Sequence, residues 1–332
     1  MGHLTRSVAL ARRAVRRGVR VRILSNSRFA NLLFEKRYGK LLPLEDGIKI
    51  VPLSSDASKD EIAAAVRREV LSRLTPDVFV VDTFPRGLAG ELADLLGSIS
   101  AKKVFVHRDL NPDYVRWADL EAFVACYDLL LVPGEDAPLA RLPQAVRTDP
   151  WILCDANELL PPQDARAALG ISFTNNLPVI VVSGSGKLDE SMLAAHMAKR
   201  LADRVHRLAN VRFVTLDEFT AEIAGEFADE IVCPLWPLQM VHRGIDLLVG
   251  AGGYNTVFET RATATTLIAI PQARLYDRQE VRLSPHERVE SWQQALEAVS
   301  QKLASLAPGR TNPQPTNFRG ADEAVRIIMS HC

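Results

Sequence analysis

Short aliphatic runs, each leading into a stretch with helical spacing, recur along nearly the whole of this chain. They predict strands at Val19–Leu24, Ile48–Leu53, Val78–Asp82, Lys103–His107 and Leu129–Val132, with helices near 58–74, 86–97 and 112–125 between them. The alternation breaks at Pro150–Pro162, where a Pro-Pro pair suits an interdomain linker. It then resumes, with strands at Pro178–Ser183, Val211–Thr215, 230–233, 246–249 and 266–270, long helices at 188–208 and 286–306, and a shorter one at 218–227. Strands separated by helices of this length form parallel sheets through right-handed crossovers. The expected fold is therefore α/β, with two doubly wound, Rossmann-like units facing a cleft. Their expected limits are 1–150 and 151–320, followed by a terminal helix at 321–332, and 332 residues suit about two domains.

The start of the chain departs from this pattern. Doubly wound units ordinarily begin with a strand, but here Leu4, Val8, Ala11 and Val15 mark an opening helix with only Gly2 and His3 before its stripe. Either the sheet lacks its first strand or the chain start is truncated.

Composition narrows the partners. Lys and Arg total 40 against 40 Asp and Glu, so no global charge points to nucleic acid. Residues 1–50, however, hold 12 Lys/Arg against 3 Asp/Glu, a basic end that can favour phosphates or peripheral contact with the inner face of a membrane, or simply be a solvated helix face. Cys126, Cys154, Cys233 and Cys332 show neither CxxC spacing nor a neighbouring His cluster, which suits reduced thiols in a cytoplasmic protein. No apolar run approaches the roughly 20 residues of a membrane span, and no signal peptide is visible.

The chemistry concentrates in GAGGYNTVFE, Gly250 to Glu259, which follows the apolar Leu247-Leu-Val249. Gly250, Gly252 and Gly253 permit positive φ and close backbone approach. Asn255 and Thr256 are suitable N-caps for the helix that follows. Such a loop aims backbone N–H groups and a helix N-terminus at one point, as phosphate oxygens require. Many glycine turns in α/β proteins serve only tight packing, but three further features accompany this one. Glu259 lies one turn into the helix, where a carboxylate reaches sugar hydroxyls. Asp277, Arg278 and Gln279 follow the strand ending near Ile270. Ser183-Gly184-Ser185-Gly186 forms a second strand-to-helix glycine loop, without the GxGxxG or GK[ST] spacings. Together they predict a nucleotide-sugar pocket in the second half.

In the first half, His3 sits at a helix N-terminus, whose partial positive charge keeps an imidazole neutral and able to accept a proton. Asp82, His107 and Arg108 end predicted strands and are candidates for the acceptor side of the cleft, or equally for caps and salt bridges. No HExxH, DxD, GxSxG or Cys/His dyad is present, so no metal site is expected.

On these residues, GHLTRSVALARRAVRRGVRV at 2–21, the SGSG loop, GAGGYNTVFE and IPQARLYDRQ ending at Gln279, the chain resembles the GT-B glycosyltransferases. It is most similar to the branch containing the N-acetylglucosaminyl transferase of lipid II synthesis and its uncharacterised relatives. The resemblance implies transfer of a sugar from a nucleoside-diphosphate sugar, a UDP-sugar above all, to an unknown acceptor hydroxyl, with neither metal nor cofactor. It assigns Glu259 to the ribose, Gly252, Gly253, Tyr254, Asn255 and Thr256 to the diphosphate, and Asp277, Arg278 and Gln279 to the sugar. Ser183 to Gly186 would support the phosphates, and His3 would be the base. Ala264, Thr265 and Thr266 stand where relatives often carry Gly-x-Pro, and residues 25–130 hold no motif naming the acceptor. A sugar-nucleotide hydrolase or epimerase, and a nucleotide-sugar-binding protein without turnover, remain the alternatives.

Overall fold

The computed structural model describes residues 2–34, 41–72, 76–184, 187–216, 218–305 and 316–331. Eleven strands run through them: β1 (Val21–Ser25), β2 (Ile48–Pro52), β3 (Val78–Asp82), β4 (Lys102–Val106), β5 (Leu129–Pro133), β6 (Ala145–Thr148), β7 (Val179–Ser183), β8 (Asn210–Thr215), β9 (Val232–Pro234), β10 (Leu247–Gly250) and β11 (Thr266–Ala269).

The second half forms one five-stranded parallel sheet in the order β11-β10-β7-β8-β9. Its central strands β7 and β10 read VIVVS and LLVG, and nearly every residue in them is buried. Continuous aliphatic runs of this kind mark strands covered on both faces. One side packs on Ala194, Ala198 and Leu201 of the Leu188–Val205 helix and on Ala295 and Val299 of the Trp292–Ser305 helix. The other packs on Ala165, Leu169 and Val257.

The first half is also parallel but lies in two sheets, β3-β4-β5-β6 and the pair β1-β2, with no ladder between β1 and β3 among the described residues. The opening helix, Gly2–Val15, buries Leu4, Val8, Ala9 and Ala11 against Ile23 and Ile50 of the smaller sheet. The terminal helix, Gly320–Ser330, returns to the first half, where Ala321, Ala324 and Val325 pack on Leu10, Val104, Leu131 and Trp151. Trp151 lies in the stretch expected to be a linker, yet it is buried, and its N–H donates to the Tyr254 hydroxyl at 2.8 Å. The joint is thus packed into both halves.

Several arginines at the start of the chain serve the fold. Arg12 and Arg13 are buried. Arg12 is held by Glu45 and Glu158, Arg13 by Asp155, and Arg16 by Asp155 and Glu158. Burial pushes the Glu158 carboxyl up, but its arginine partners and the Asp155 N–H outweigh that and hold it at about 2. These three cations tie the helix to the start of the second half and offer no free charge to a membrane. Among the described residues no helix is long and apolar enough to cross one.

Candidate functional site

Parallel α/β sheets place the loops that follow their strands at one edge, where ligands bind. Here the edges of the two halves face each other across a cavity of about 450 Å³. His3, Thr83, Phe84, Arg108, Asp109 and Leu110 line it from the first half. From the second come Ser183 at the end of β7 and Gly184 after it, the Trp236-Pro237-Leu238 segment after β9, the loop and helix after β10, and residues 274–277 with Gln279 after β11. Ser185 and Gly186 lie outside the described residues.

The glycine loop works by absence of side chains, not by positive φ: Gly250, Gly252 and Gly253 are not among the residues with φ above zero. A Cβ on Gly250 would meet Ser183 Oγ at 2.5 Å, and one on Gly252 would meet Leu283 Cδ1 at 2.9 Å. A Cβ on Gly253 would have nothing within 4 Å. Gly253, not Asn255 or Thr256, caps the Tyr254–Thr263 helix, and it does so without a side-chain bond. The first intrahelical bond runs from Val257 N to Gly253 O at 3.0 Å. The N–H groups of Tyr254, Asn255 and Thr256 therefore lack helical acceptors, and these residues line the cavity. One turn on, Glu259 is 8% exposed and lines the same cavity, with no described residue donating to its carboxylate. Burial pushes its pKa up to about 8.

The segment Asp277-Arg278-Gln279 faces two ways. Asp277 and Gln279 line the cavity, with Gln279 Oε1 accepting from Gln272 N at 3.0 Å. Arg278 does not line it; its guanidinium pairs with Asp109 of the first half. Nearby, Asn111 N donates to Tyr276 O at 3.0 Å, so this segment docks directly on the loop after β4. A buried ion network lies behind it. Arg282 donates to Glu135 at 2.6 Å, to Asp277 at 2.7 Å and to the Gly252 carbonyl at 2.8 Å. Arg108 pairs with the same Glu135. Burial raises the Glu135 carboxyl, but Arg108 and Arg282 outweigh it and hold it at about 2.

On the opposite wall, Arg6 forks onto both oxygens of Asp82 at 2.7 and 2.6 Å and reaches Thr83 Oγ1 at 2.9 Å. Thr83 holds φ 68°, a costly conformation for a β-branched residue, at the turn that leaves β3. His3 Nδ1 lies 3.3 Å from Asp82 Oδ2 and 3.3 Å from Arg6 Nη2. About half of the His3 side chain is open, yet enclosure by the cleft walls lowers its pKa against the pull of Asp82, and Arg6 and Arg108 lower it further. Asp82 is pushed up by burial but held below the usual carboxylate range by Arg6 and His3. Arg108 lies 4.1 Å over the Tyr254 ring and Arg6 5.2 Å from it, so two guanidinium groups of the first half flank the first helical residue of the second.

His107 does not join them. Its side chain turns into the core, Nε2 accepts from Leu139 N at 3.0 Å, and burial lowers its pKa to about 4. Adjacent residues leaving a strand point to opposite sides, so Arg108 takes the cleft and His107 the interior. Sequence reasoning did not select Arg6, Glu135 or Arg282. Arg6 lies one turn beyond His3 on the same helix, which is a readable signal. Glu135 carries none.

No family model matches the chain, and no curated protein matches it in sequence. Among solved structures, the glycotransferase of kitacinnamycin matches 99% of this chain and 95% of its own, with 16% identity and a TM-score of 0.58. The UDP-GlcNAc 2-epimerase of Methanocaldococcus jannaschii matches 99% and 97%, with 14% identity and a TM-score of 0.59. MurG of Acinetobacter baumannii matches 99% and 96%, with 13% identity and a TM-score of 0.53. Over its full length, this chain has the GT-B fold of the glycosyltransferases.

Proposed function

We propose that the chain transfers a glycosyl group from a nucleoside-diphosphate sugar, a UDP-sugar first among them, to a hydroxyl acceptor, without a metal. The observation that carries this reading is Glu259: a buried carboxyl group that faces the cavity, with no donor to it among the described residues, one turn beyond three backbone N–H groups that lack helical acceptors. A diphosphate at the N–H groups and a ribose diol at Glu259 would satisfy both at once. Ser183 and Gly184 border the same pocket, and Asp277 and Gln279 stand where the donor sugar would lie.

In this reading His3 is the base. Its Nδ1 then donates to Asp82, while Arg6 Nη2, equally near, spends its two hydrogens on Asp82 and Thr83, which leaves the Nε2 lone pair for the acceptor. The acceptor oxygen loses its proton to Nε2 and attacks the anomeric carbon as the bond from that carbon to the diphosphate oxygen breaks. The departing diphosphate keeps the electron pair and meets the helix N-terminus, while Asp82 stabilises the imidazolium. The products are the glycoside, the nucleoside diphosphate and a proton, which His3 then releases to solvent.

A second reading, epimerisation or hydrolysis of the nucleotide sugar, is favoured by the epimerases among the similar folds and by Asp109. Burial raises the pKa of Asp109, which lines the cavity and offers a further acid–base group. Calorimetry with UDP and UDP-sugars, followed by assay of UDP release with and without hydroxyl acceptors, separates the readings. Acceptor-dependent release supports transfer. Acceptor-independent release or a C2 epimer supports the second reading, and binding without conversion leaves a binding protein.

A further inference from the structure

We propose that the acceptor is an uncharged, planar aromatic alcohol, held against a row of aromatic rings that leads from His3 to the outer surface; this rests on His3 marking the acceptor end of the cleft. The row is continuous. The Phe84 ring lies 5.6 Å from His3 and 5.3 Å from Tyr276, edge-on to the latter. Tyr276 lies 4.4 Å from Tyr114, and Tyr114 6.4 Å from Trp117. His3, Phe84 and Tyr276 border the cavity together with Leu110 and Leu275.

Two features set this row apart from ordinary packing. Tyr114 and Tyr276 do join the two halves, beside the bond from Asn111 N to Tyr276 O. That role leaves unexplained why Leu275 is 72% exposed at the cavity rim and Trp117 84% exposed at the outer end. Large apolar groups left open next to a pocket mark a ligand surface. The charged side chains that line the cavity at this end are already matched: Asp109 by Arg278, Arg274 by Glu190 and Arg108 by Glu135. A charged acceptor would find no unmatched partner among them, whereas a flat ring gains offset and edge contacts with Phe84 and Tyr276. A hydroxyl on such a ring would reach His3 while its body lay along the row.

The test uses the full chain, saturated with UDP, and a matched pair of probes: 2-naphthol and its saturated counterpart decahydro-2-naphthol, which keeps the skeleton and hydroxyl but has no π face. The anionic 6-hydroxynaphthalene-2-sulfonate tests charge. Binding, read by ligand-observed NMR, is expected to favour 2-naphthol over the saturated alcohol by roughly 3–10-fold and over the sulfonate. Phe84→Leu, which stays apolar, is expected to abolish the preference without moving UDP affinity. Equal binding of naphthol and decahydronaphthol, tighter binding of the sulfonate, a preference that survives Phe84→Leu, or displacement of naphthol by UDP each overturns the proposal. Should UDP fail to bind while the Phe84-dependent preference persists, the donor reading falls and the aromatic site stands.

Discussion

Arg282 donates to the Gly252 carbonyl at 2.8 Å, and the same guanidinium donates to Glu135 of the other half at 2.6 Å. One buried side chain therefore fixes the glycine loop's carbonyl away from the cavity and ties that loop to the opposite wall. Three separate guanidinium nitrogens reach Glu135, the Gly252 carbonyl and Asp277, a spread that the single ammonium of a lysine does not reproduce.

Arg282→Met keeps much of the volume but leaves Glu135 with Arg108 as its one cation and the Gly252 carbonyl and Asp277 without this donor. Leaving a buried charge wholly unpaired costs about 3–5 kcal/mol; Glu135 keeps Arg108, so the loss here is expected below that range. We expect a lower urea midpoint and weaker UDP binding together, since the loop loses its anchor. Unchanged UDP affinity in a folded Arg282→Met protein would disconnect this network from the donor loop.

Gly250 and Gly253 should respond to substitution in opposite ways. A Cβ at Gly253 meets open space in the cleft, and its φ of −65° suits any residue. Gly253→Val is expected to fold normally and to lose UDP binding. At Gly250 the Cβ would collide with Ser183 Oγ at 2.5 Å, between two central strands, so Gly250→Val should lower thermal stability as well. If Gly253→Val binds UDP as tightly as the parent, the diphosphate site is elsewhere.

Glu259 predicts a pH dependence. Its folded pKa of about 8 lies above the ordinary 4.5, so the empty protein holds a proton there that the unfolded chain releases. That contribution is fully present below about pH 4.5 and is lost as pH rises towards 8. Relative to Glu259→Gln, the empty protein should lose thermal stability over this window. Ribose hydroxyls donate to the ionised form, so nucleotide affinity should rise from pH 7 to 8.5 in the parent and not in Glu259→Gln. At pH 8.5 the loss in Glu259→Gln should be about 1.5–3 kcal/mol, the range for hydrogen bonds to a charged group. Parallel affinity profiles for the two proteins would remove the ribose assignment.

How far the sequence carries this site depends on how local each signal is. The aliphatic runs of β7 and β10 are legible because both faces are buried, and the glycine loop after β10 is legible because it follows directly. β6, AVRT, escapes notice because a short, half-exposed edge strand needs no aliphatic run. The helix expected over 112–125 breaks at Asp119, which takes φ 46°, and the one expected over 86–97 shrinks to Leu92–Leu95 after the positive φ of Gly87 and Gly90. The Pro162–Ala168 helix hides behind its own prolines, although Pro is favoured in a first turn. Arg6 and Arg282 meet partners 76 and 147 residues away, and no spacing rule reaches across such distances. That is also why Arg278, grouped with its neighbours as a sugar contact, faces Asp109 instead.

His3 decides whether the cleft turns substrate over. If it is the base, His3→Ala should lower turnover by roughly 10²–10⁴-fold, while UDP affinity, set by the other half, stays nearly unchanged. Its pKa lies below the ordinary 6.5, so the acidic limb of kcat/KM should fall below that value, where the imidazole becomes charged. Asp82→Asn separates positioning from a merely structural role. The amide keeps a group beside Nδ1 but loses the negative charge that stabilises the imidazolium, so kcat should fall and the acidic limb should shift further down in pH. The same change leaves Arg6 without its carboxylate in a buried setting, so circular dichroism must show the variant folded before its rate is read. A folded Asp82→Asn protein with an unmoved pH limb, or a His3→Ala protein with full turnover, would assign the proton transfer to another group.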